Sequence, residues 1–366
     1  MSLTLLTDHF ADIEDPRQAS KVTYELFDVL FLTLTAVISG AEGWEEIEDF
    51  GHLRLQWLKK YGDFSHGIPV HDTIARLVCR IDPQAFHQRF IQWMQATEKL
   101  TDKEVVAVDG KTLRRSYKRD DRQSTLHMII AFATKNGVVL GQRRTDEKSN
   151  EITAVPELLE LLELEGAMVT LDAMSCQKQI VKTVVKKKAD YCIAVKKNQK
   201  SLYQALQDAF ELSDSNESGH LEQEHGRVEY RAYDVLSALE LPVSIRSAWS
   251  SLETIGRATY YRLANGKEQL QYRYYISSAR LSAEQFVAST VRAHWGVENR
   301  LHWVLDVTMR EDDCTISRGH AADNLACFRH VALNQIRREK SIIASVNRKQ
   351  KMATMSEEVL DLIVNA

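Results

Sequence analysis

Cysteine is scarce and scattered in this sequence. The chain of 366 residues contains only five cysteines, none of them in a CxxC pair or a regular ladder of spacings. This spacing argues against a disulfide framework or a cysteine-based zinc site, and it predicts reduced, mostly buried thiols in a cytoplasmic protein. The five positions are Cys79, Cys176, Cys192, Cys314 and Cys327.

A membrane-spanning run and a leader segment are also missing. The most apolar early stretch, Leu26–Ile38, contains Asp28 and is too short to cross a bilayer, so we expect a core helix there. The amino terminus has no basic segment followed by an apolar run, which predicts that there is no signal peptide. We therefore expect no association with a membrane.

The sequence has no surplus of positive charge. Its net charge of −4 and pI near 6.3 count against a nucleic-acid-binding protein, which more often has a basic surplus. Affinity for DNA depends, however, on the local neutralisation of phosphates. The first fifty residues contain Arg17 and Lys21 as their only basic residues, and further basic residues are clustered. The clusters are Lys111–Arg122, Lys178–Lys188, Lys196–Lys200 and Arg337–Lys351.

Apolar periodicity divides the chain into a helical part and a mixed part. Residues 1–98 show apolar residues at helical spacing, interrupted by prolines, and predict a helical amino-terminal domain in which Asp72 caps a helix after Val70. Residues 99–217 alternate between strands and helices, which predicts a mixed α/β sheet with parallel crossovers. The predicted strands are Glu104–Asp109, Thr125–Thr134, Val138–Arg144, Ala167–Asp172 and Asp190–Val195, and the predicted helices are Glu151–Leu164 and Gln177–Lys188.

Beyond residue 217 the pattern changes twice. Residues 218–280 are rich in tyrosine, valine and threonine, with a predicted turn at Asn265-Gly266, and they indicate a β-rich insertion. Residues 281–340 return to a helical pattern and are predicted to complete the catalytic core. Residues 341–366 are predicted to form a helical tail.

Three carboxylates occupy positions that favour metal-dependent chemistry. Asp109 and Asp172 each end a predicted strand, and reactive groups of open α/β sheets gather at the carboxyl ends of strands. If these strands are neighbours, two like charges would share a crevice and require a cation such as Mg²⁺ or Mn²⁺. Glu298, on a predicted helix, can supply a third ligand. From spacing alone the ordinary alternative stays open, because such aspartates often only cap a turn.

A set of short sequence blocks extends over nearly the whole chain. They are Asp15-Pro-Arg17, Gly67-Ile-Pro-Val-His-Asp72, Val106-Ala-Val-Asp-Gly-Lys-Thr-Leu-Arg-Arg-Ser116, Glu147-Lys-Ser-Asn-Glu-Ile152, Val169-Thr-Leu-Asp-Ala-Met174, Val195-Lys-Lys-Asn-Gln199, His294-Trp-Gly-Val-Glu-Asn-Arg-Leu-His-Trp-Val-Leu-Asp306 and Arg310-Glu-Asp312. Together, and in this order, these blocks resemble the H repeat-associated family of insertion-sequence DDE transposases.

The resemblance implies an RNase H-like catalytic core, with the β-rich insertion between the second aspartate and the glutamate. It further implies that Asp109, Asp172 and Glu298 form the metal-binding catalytic triad, with two Mg²⁺ or Mn²⁺ ions roughly 4 Å apart. The implied partners are double-stranded DNA, namely the terminal repeats of the element and a target, and a second copy of the chain on DNA. Related transposases show Tyr-x2-Arg-x3-Glu-x6-Lys around the glutamate. Here Val291, His294 and Leu305 stand at the other positions, so hairpin chemistry does not carry over.

A further set of residues is predicted to contact DNA around the triad. For Lys111, Arg114 and Arg115 a solvated charged face is an equal alternative, and Trp295 and Trp303 are more typical of core packing than of base stacking. His294, Glu298 and His302 share one helical face, where a zinc site is conceivable, but the aspartates favour a hard cation. Asp306 and Asp312 are predicted to support the site from behind. The predicted DNA contacts are Lys111, Arg114, Arg115, Lys196, Lys197, Asn198, Gln199, His294, Trp295, Asn299 and His302.

Three other functions stay open at this stage. A metal-dependent nuclease that cuts DNA without joining it would use the same carboxylates. A DNA-binding relic without catalysis is disfavoured because the triad is intact. A small-molecule phosphotransferase is disfavoured because the sequence contains neither GxxxxGK[ST] nor GxGxxG.

Overall fold

The computed structural model describes residues 2–117, 125–145, 151–213, 218–224, 227–264, 266–287 and 292–366. Asn265 and Val291, residues 118–122 of the first basic cluster and residues 147–150 of one family block lie outside this part of the chain. No helix in the described ranges is both long and apolar enough to cross a membrane.

Five helices form the amino-terminal region. The predicted core helix spans Leu26–Ile38 as expected and is buried along nearly its whole length, since almost every residue in it is apolar. Asp72 does not cap its helix: the helix begins at His71 after Val70, and Asp72 lies in its first turn. The five helices are α1 (Ser2–Ala11), α2 (Leu26–Ile38), α3 (Trp44–Leu58), α4 (His71–Val78) and α5 (Pro83–Thr97).

The mixed α/β pattern predicted from the sequence is confirmed. Strands β1, β2 and β3 form antiparallel pairs, and β4 and β5 follow β1 in parallel, so the strand order of this part is β3-β2-β1-β4-β5. This is the RNase H-like sheet that the family resemblance implies. Its elements are β1 (Val105–Thr112), β2 (His127–Ala133), β3 (Val138–Thr145), α6 (Glu151–Leu161), β4 (Met168–Leu171), α7 (Lys178–Lys186), β5 (Asp190–Val195) and α8 (Lys200–Leu212).

The β-rich segment extends the same sheet. Its last strand pairs antiparallel with β5, with Cys192 opposite Ser277, and the sheet grows to nine strands in the order β3-β2-β1-β4-β5-β9-β8-β7-β6. The insertion therefore forms a wall beside the carboxyl end of β5. Its elements are β6 (Ser218–Glu224), β7 (Arg227–Ser237), α9 (Val243–Arg246), β8 (Thr254–Ala264) and β9 (Lys267–Ser277).

The carboxyl-terminal helices join the two regions. The central helix, α12, packs against α2, α5 and β3, and its polar residues are buried together with its apolar ones. Asn334, for example, exchanges hydrogen bonds with the main chain of Val139 on β3. The remaining elements are α10 (Ala283–Phe286), α11 (Arg292–Val297), two π-helical turns (Glu298–His302 and Val304–Thr308), α12 (Ala321–Arg338), α13 (Val346–Met355) and α14 (Glu357–Val364).

Candidate active site

Asp109 and Asp172 stand at the same edge of the sheet. In the parallel pair of β1 and β4, Val108 lies opposite Leu171, and the two aspartates are the next residue on each strand. Because these strands are parallel, their carboxyl ends meet at one edge. The two aspartates are therefore neighbours, and both are partly exposed. Asp172 directly follows β4 as predicted, but the predicted strand end at Asp109 is wrong, because β1 continues to Thr112.

Main-chain hydrogen bonds hold both carboxylates. Asp109 accepts a bond through Oδ1 from the N–H of Gly110 at 2.9 Å. Asp172 accepts two bonds through Oδ1, from the N–H groups of Met174 at 3.0 Å and Ser175 at 3.1 Å. These bonds fix the loop that turns away from β4, so the position of Asp172 depends on the shape of this loop.

A buried contact between a histidine and a glutamate packs against the backbone beside Asp109. His127 Nε2 lies 2.5 Å from Glu151 Oε1, and His127 Nδ1 lies 2.8 Å from the hydroxyl of Thr112. A side chain at Gly110 would place its Cβ 2.6 Å from Glu151 Oε1 and 2.7 Å from His127 Nε2. Glycine is therefore required at position 110, because there is no room for a Cβ next to this pair.

Glu298 reaches the cleft from a π-helical turn. Its side chain is 73% exposed, and its Oε2 lies 3.2 Å from Nδ1 of His302. The same nitrogen is 3.9 Å from Oδ2 of Asp109. His302 is buried, and its Nδ1 stands between the carboxylates of Glu298 and Asp109. π-Helical turns are frequent at functional sites.

His294 contacts the second strand of the site. Its Nδ1 lies 3.1 Å from the hydroxyl of Thr170 on β4. Burial lowers the pKa of His294, and the negative charges of Asp109 and Asp172 oppose this effect without reversing it. The imidazole is therefore neutral at neutral pH, with the two carboxylates close by.

All three predicted catalytic carboxylates line one cleft of about 850 Å³. Its lining comes from the carboxyl ends of β4 and β5, from β9 beside β5, and from α11. Arg273 and Tyr275 of β9 line the cleft. No sequence pattern predicted this, because the pairing of β9 with β5 is a long-range contact. The cleft is open on one side, as a site for a large substrate requires.

The donor groups suit a hard divalent cation, but they do not converge on one point. Carboxylate oxygens are the preferred ligands of Mg²⁺ and Mn²⁺. In the described ranges, however, no three His, Cys, Asp or Glu side chains are placed to hold a metal ion. The zinc site considered for His294, Glu298 and His302 is therefore not formed there either. Oε2 of Glu298 contacts Nδ1 of His302. The neighbouring pair Asp109 and Asp172 thus fits a shared cation by its chemistry.

Lys111 is buried, contrary to the exposed phosphate contact expected of it. Only 5% of its side chain is accessible, and its Nζ lies 2.5 Å from Asp306 Oδ1 and 2.6 Å from Glu311 Oε2. Burial disfavours the ammonium ion, but Glu311 and Asp306 outweigh this effect and raise the pKa of Lys111. Lys111 is therefore not placed to contact DNA, because it neutralises two carboxylates inside the protein.

Two basic residues that follow Lys111 form ion pairs at the surface with the acidic segment Glu311–Asp313. Arg114 Nε lies 3.2 Å from Asp312 Oδ2, and Arg115 Nη1 lies 3.7 Å from Asp313 Oδ1. Their side chains are 77% and 56% exposed, so both guanidinium groups still face solvent. Asp306 contacts Lys111 and Asp312 contacts Arg114, and their support of the site stays a prediction.

The segment after β5 divides into two exposed lysines and two amides. Lys196 and Lys197 are exposed and line the cleft. The side-chain amides of Asn198 and Gln199 instead donate to the carbonyl oxygens of Ala173 at 2.7 Å and Cys176 at 2.8 Å. These two amides hold the loop that follows Asp172, a role that the sequence did not reveal.

The two tryptophans near Glu298 are not core residues, so the core-packing interpretation is wrong. Trp295 is 53% exposed and Trp303 is 55% exposed. The guanidinium of Arg273 lies over the Trp295 ring, 4.5 Å from its centre, and both line the cleft. Asn299, on the same helical segment, is also exposed. The helix that carries Glu298 thus presents aromatic surface to solvent.

Two residues of the basic cluster Arg337–Lys351 form contacts inside the protein. Lys349 is buried and lies 3.0 Å from Glu339 Oε2, and it donates to the carbonyl oxygen of Ile336 at 3.2 Å. Arg337 donates to the carbonyl oxygen of Gly137 at 2.7 Å, and burial lowers its pKa to about 10. These residues therefore join α12 and α13 to the core.

Known proteins match the chain along its length. Residues 7–94 match the family described as DDE_Tnp_1-associated, and residues 100–335 match the family described as transposase DDE domain. The chain is 47% identical to the "H repeat-associated putative transposase YhhI" of Escherichia coli (strain K12), over 98% of this chain and 97% of that protein. It is 62% identical to the "Inactive transposase YbfQ" of the same strain, over 21% of this chain and 93% of that shorter protein.

Among solved structures, the chain is similar to the piggyBac transposase in its synaptic complex with hairpin DNA. The TM-score is 0.44 at 11% identity, over 99% of this chain and 81% of that chain. The sequence matches are far stronger: a match to the DDE domain over more than half of the chain accompanies 47% identity over almost all of it. The chain therefore belongs to the transposase DDE domain family and, within it, to the H repeat-associated transposases.

Proposed function

We propose that this protein cleaves DNA at the ends of an insertion sequence and joins those ends to target DNA, with Asp109, Asp172 and Glu298 as its catalytic carboxylates. The observation that carries the proposal is the register of β1 and β4, which sets Asp109 beside Asp172, with Glu298 on the same cleft. Membership of the family supports this reaction class.

The aspartates would hold a divalent cation, Mg²⁺ or Mn²⁺, and Glu298 would join them as the third ligand. When bound, two such ions supply stabilisation of charge on the attacking and leaving oxygens of an in-line phosphoryl displacement. The residues of the chain prepare this site. Asn198 and Gln199 hold the loop after Asp172, and His302 holds Glu298 next to Asp109.

The proposed reaction has two steps with balanced bonds. In the first, a water oxygen forms a bond to phosphorus at the element end, the bond from phosphorus to the 3′ oxygen breaks, and that oxygen takes up a proton. In the second, the freed 3′-hydroxyl attacks a phosphorus of the target strand and displaces the target's own 3′ oxygen. The first step replaces an ester bond by a bond from phosphorus to the oxygen of water, and the second replaces one ester bond by another. Neither step needs an oxidant or a nucleotide.

We propose that the DNA lies along the open side of the cleft. Lys196 and Lys197 are exposed at the end of β5, and Arg114 and Arg115 remain largely exposed beyond β1. Such local basic groups can neutralise phosphates although the chain as a whole has a net charge of −4. His294, Trp295 and Asn299 would then face the strand near the scissile phosphate. Pairing of two copies on DNA stays a prediction.

The test is cleavage of DNA that carries the element's own flanking repeats, in the presence of Mg²⁺. The wild type, Glu298→Ala and Asp109→Asn are compared with Glu165→Ala, which removes an equally exposed carboxylate (70% against 73%) away from the cleft. We expect the wild type and Glu165→Ala to cleave at the repeat ends. The two triad variants should bind the same DNA without cutting it.

A supercoiled target separates the alternatives. A joined product identifies a transposase, whereas cleavage without joining identifies a nuclease. Metal-dependent cleavage that persists in Asp109→Asn would contradict the role given to Asp109. Tight binding to the ends without cleavage by any variant would leave only a DNA-binding protein.

A further inference from the structure

The buried ammonium of Lys111 joins the strand that carries Asp109 to the segment that follows Glu298. Lys111 lies two residues beyond Asp109 on β1, and its two closest partners come from the far end of the chain. Asp306 belongs to the second π-helical turn, Val304–Thr308, and Glu311 begins a 3₁₀ turn, Glu311–Asp313. The first π-helical turn, immediately before, is the one that carries Glu298 and His302.

This arrangement leaves Lys111 little freedom to do anything else. Glu311 is almost completely buried, and although burial raises the pKa of its carboxyl, Lys111, His330 and Arg329 outweigh that effect and lower it. Removing the partner of a buried charge leaves it uncompensated in a medium that solvates it poorly. A movement of Lys111 toward a DNA phosphate would leave the charges of Glu311 and Asp306 uncompensated in this way.

We propose that Lys111 is a positioning residue that sets the separation of Asp109 and Glu298, an inference that rests on the proposed function. Two short charge-assisted hydrogen bonds fasten the strand that carries Asp109 to the helical segment that carries Glu298. The outer ion pairs, Arg114 with Asp312 and Arg115 with Asp313, run alongside on the surface. Exposed pairs of this kind contribute little, so the buried lysine dominates the connection.

The functional consequence follows from geometry. The three carboxylates come from segments far apart in the sequence, and only contacts between those segments fix their spacing. Groups that orient metal ligands from behind typically change metal affinity or activity by about 10–100-fold when they are lost. A misplacement of about 1 Å can reduce a reaction rate by about 100-fold. Loss of the lysine should therefore impair cation binding and cleavage, and it should not impair binding of DNA.

The experiment compares Lys111→Met with Lys349→Met. Lys349 is an equally buried lysine, also paired with a buried glutamate, and its partners Glu339 and the carbonyl of Ile336 do not line the cleft. Mn²⁺ binding by electron paramagnetic resonance, cleavage rate and affinity for element-end DNA are measured for each. We expect Lys111→Met to weaken Mn²⁺ binding by about 10-fold or more and to slow cleavage by about 100-fold, with unchanged DNA affinity. Lys349→Met should lose stability alone.

Two further variants keep the proposal open to refutation. Lys111→Arg retains the cation and should restore most of the Mn²⁺ affinity. Asp306→Asn alters a side chain that is 28% exposed, so it should fold even if Lys111→Met does not, with a smaller loss of Mn²⁺ affinity. Equal Mn²⁺ affinity in Lys111→Met and the wild type would overturn the proposal. So would weaker DNA binding with a salt slope reduced by about one, which is the signature of a lost phosphate contact.

Hydrogen exchange separates this proposal from the proposed function. If the wild type neither binds Mn²⁺ nor cleaves DNA, the proposed function fails, but the connection through Lys111 is still testable. Faster amide exchange in residues 298–313 of Lys111→Met, and not of Lys349→Met, would support it. Unchanged exchange in that segment would refute it.

Discussion

The side-chain amide of Asn198 donates a 2.7 Å hydrogen bond to the carbonyl oxygen of Ala173, the residue that follows Asp172. Asn198 comes from the segment after β5, so the bond crosses from one strand end to the next. Gln199 repeats the contact at Cys176, 2.8 Å away. The loop that presents the second aspartate is thus held from the side by the neighbouring strand.

Asn198→Ala should slow cleavage without weakening the binding of DNA. The substitution leaves a carbonyl oxygen of the Asp172 loop without its donor, which typically costs about 1–3 kcal/mol locally. We expect a cleavage rate about tenfold lower, measured in single-turnover assays with saturating enzyme. Gln204→Ala is the control, because the side-chain amide of Gln204 donates a hydrogen bond to Asp208 on the exposed face of α8. Weaker DNA binding at an unchanged cleavage rate would mean that Asn198 contacts DNA instead.

Lys196→Ala and Lys197→Ala should weaken DNA binding and reduce its dependence on salt. Each lysine that contacts a phosphate contributes about one to the slope of log affinity against log salt concentration. Lys188→Ala is a matched control, because Lys188 lies before the amino end of β5 and Lys196 follows its carboxyl end. Binding titrations at several salt concentrations give the slopes. Equal slopes for all three variants and the wild type would place the DNA elsewhere.

Trp303→Ala should hardly change the stability of the protein. Its ring is 55% exposed, and surface substitutions usually change the free energy of unfolding by no more than about 0.5 kcal/mol. Trp93→Ala, at a fully buried tryptophan, should cost about 3–5 kcal/mol. Urea denaturation of both variants makes the comparison. A large loss of stability in Trp303→Ala would restore the core-packing interpretation.

Stability should fall as the pH is lowered from 7.5 to 5. Burial lowers the pKa of His330 to about 4, whereas in the unfolded chain it is about 6.5. Between these values the unfolded state binds more protons, so protonation favours unfolding. At pH 5 this effect of His330 lowers the free energy of unfolding by about 2 kcal/mol. Burial also lowers the pKa of His87, which acts in the same direction.

Urea denaturation at pH 7.5, 6 and 5 measures this loss. In His330→Gln the difference between pH 7.5 and pH 5 should be smaller by about 2 kcal/mol, even though the variant is less stable at every pH. His66→Gln, at an exposed histidine, should keep the slope of the wild type. An identical slope in His330→Gln would show that other groups cause the loss.

Local patterns predicted much of the catalytic core. The fifth strand was expected at Asp190–Val195 and is found there, since a short apolar run between polar turns has few alternatives. Asp109 and Asp172 were expected at strand ends, and the parallel register brings them together. The strands themselves depend on residues close in sequence, whose preferences the amino acids express, whereas the register of β1 and β4 is a long-range pairing.

The sequence by itself determined the family and the order of strands and helices along the catalytic core. Only the tertiary structure decided which polar side chains face inward. Lys111 and Asn198 were both predicted to contact DNA. Lys111 is instead buried against Asp306 and Glu311, and the amide of Asn198 holds a loop. Burial depends on partners up to 200 residues away, as for Lys111 and Glu311, and local sequence carries no record of such distant packing.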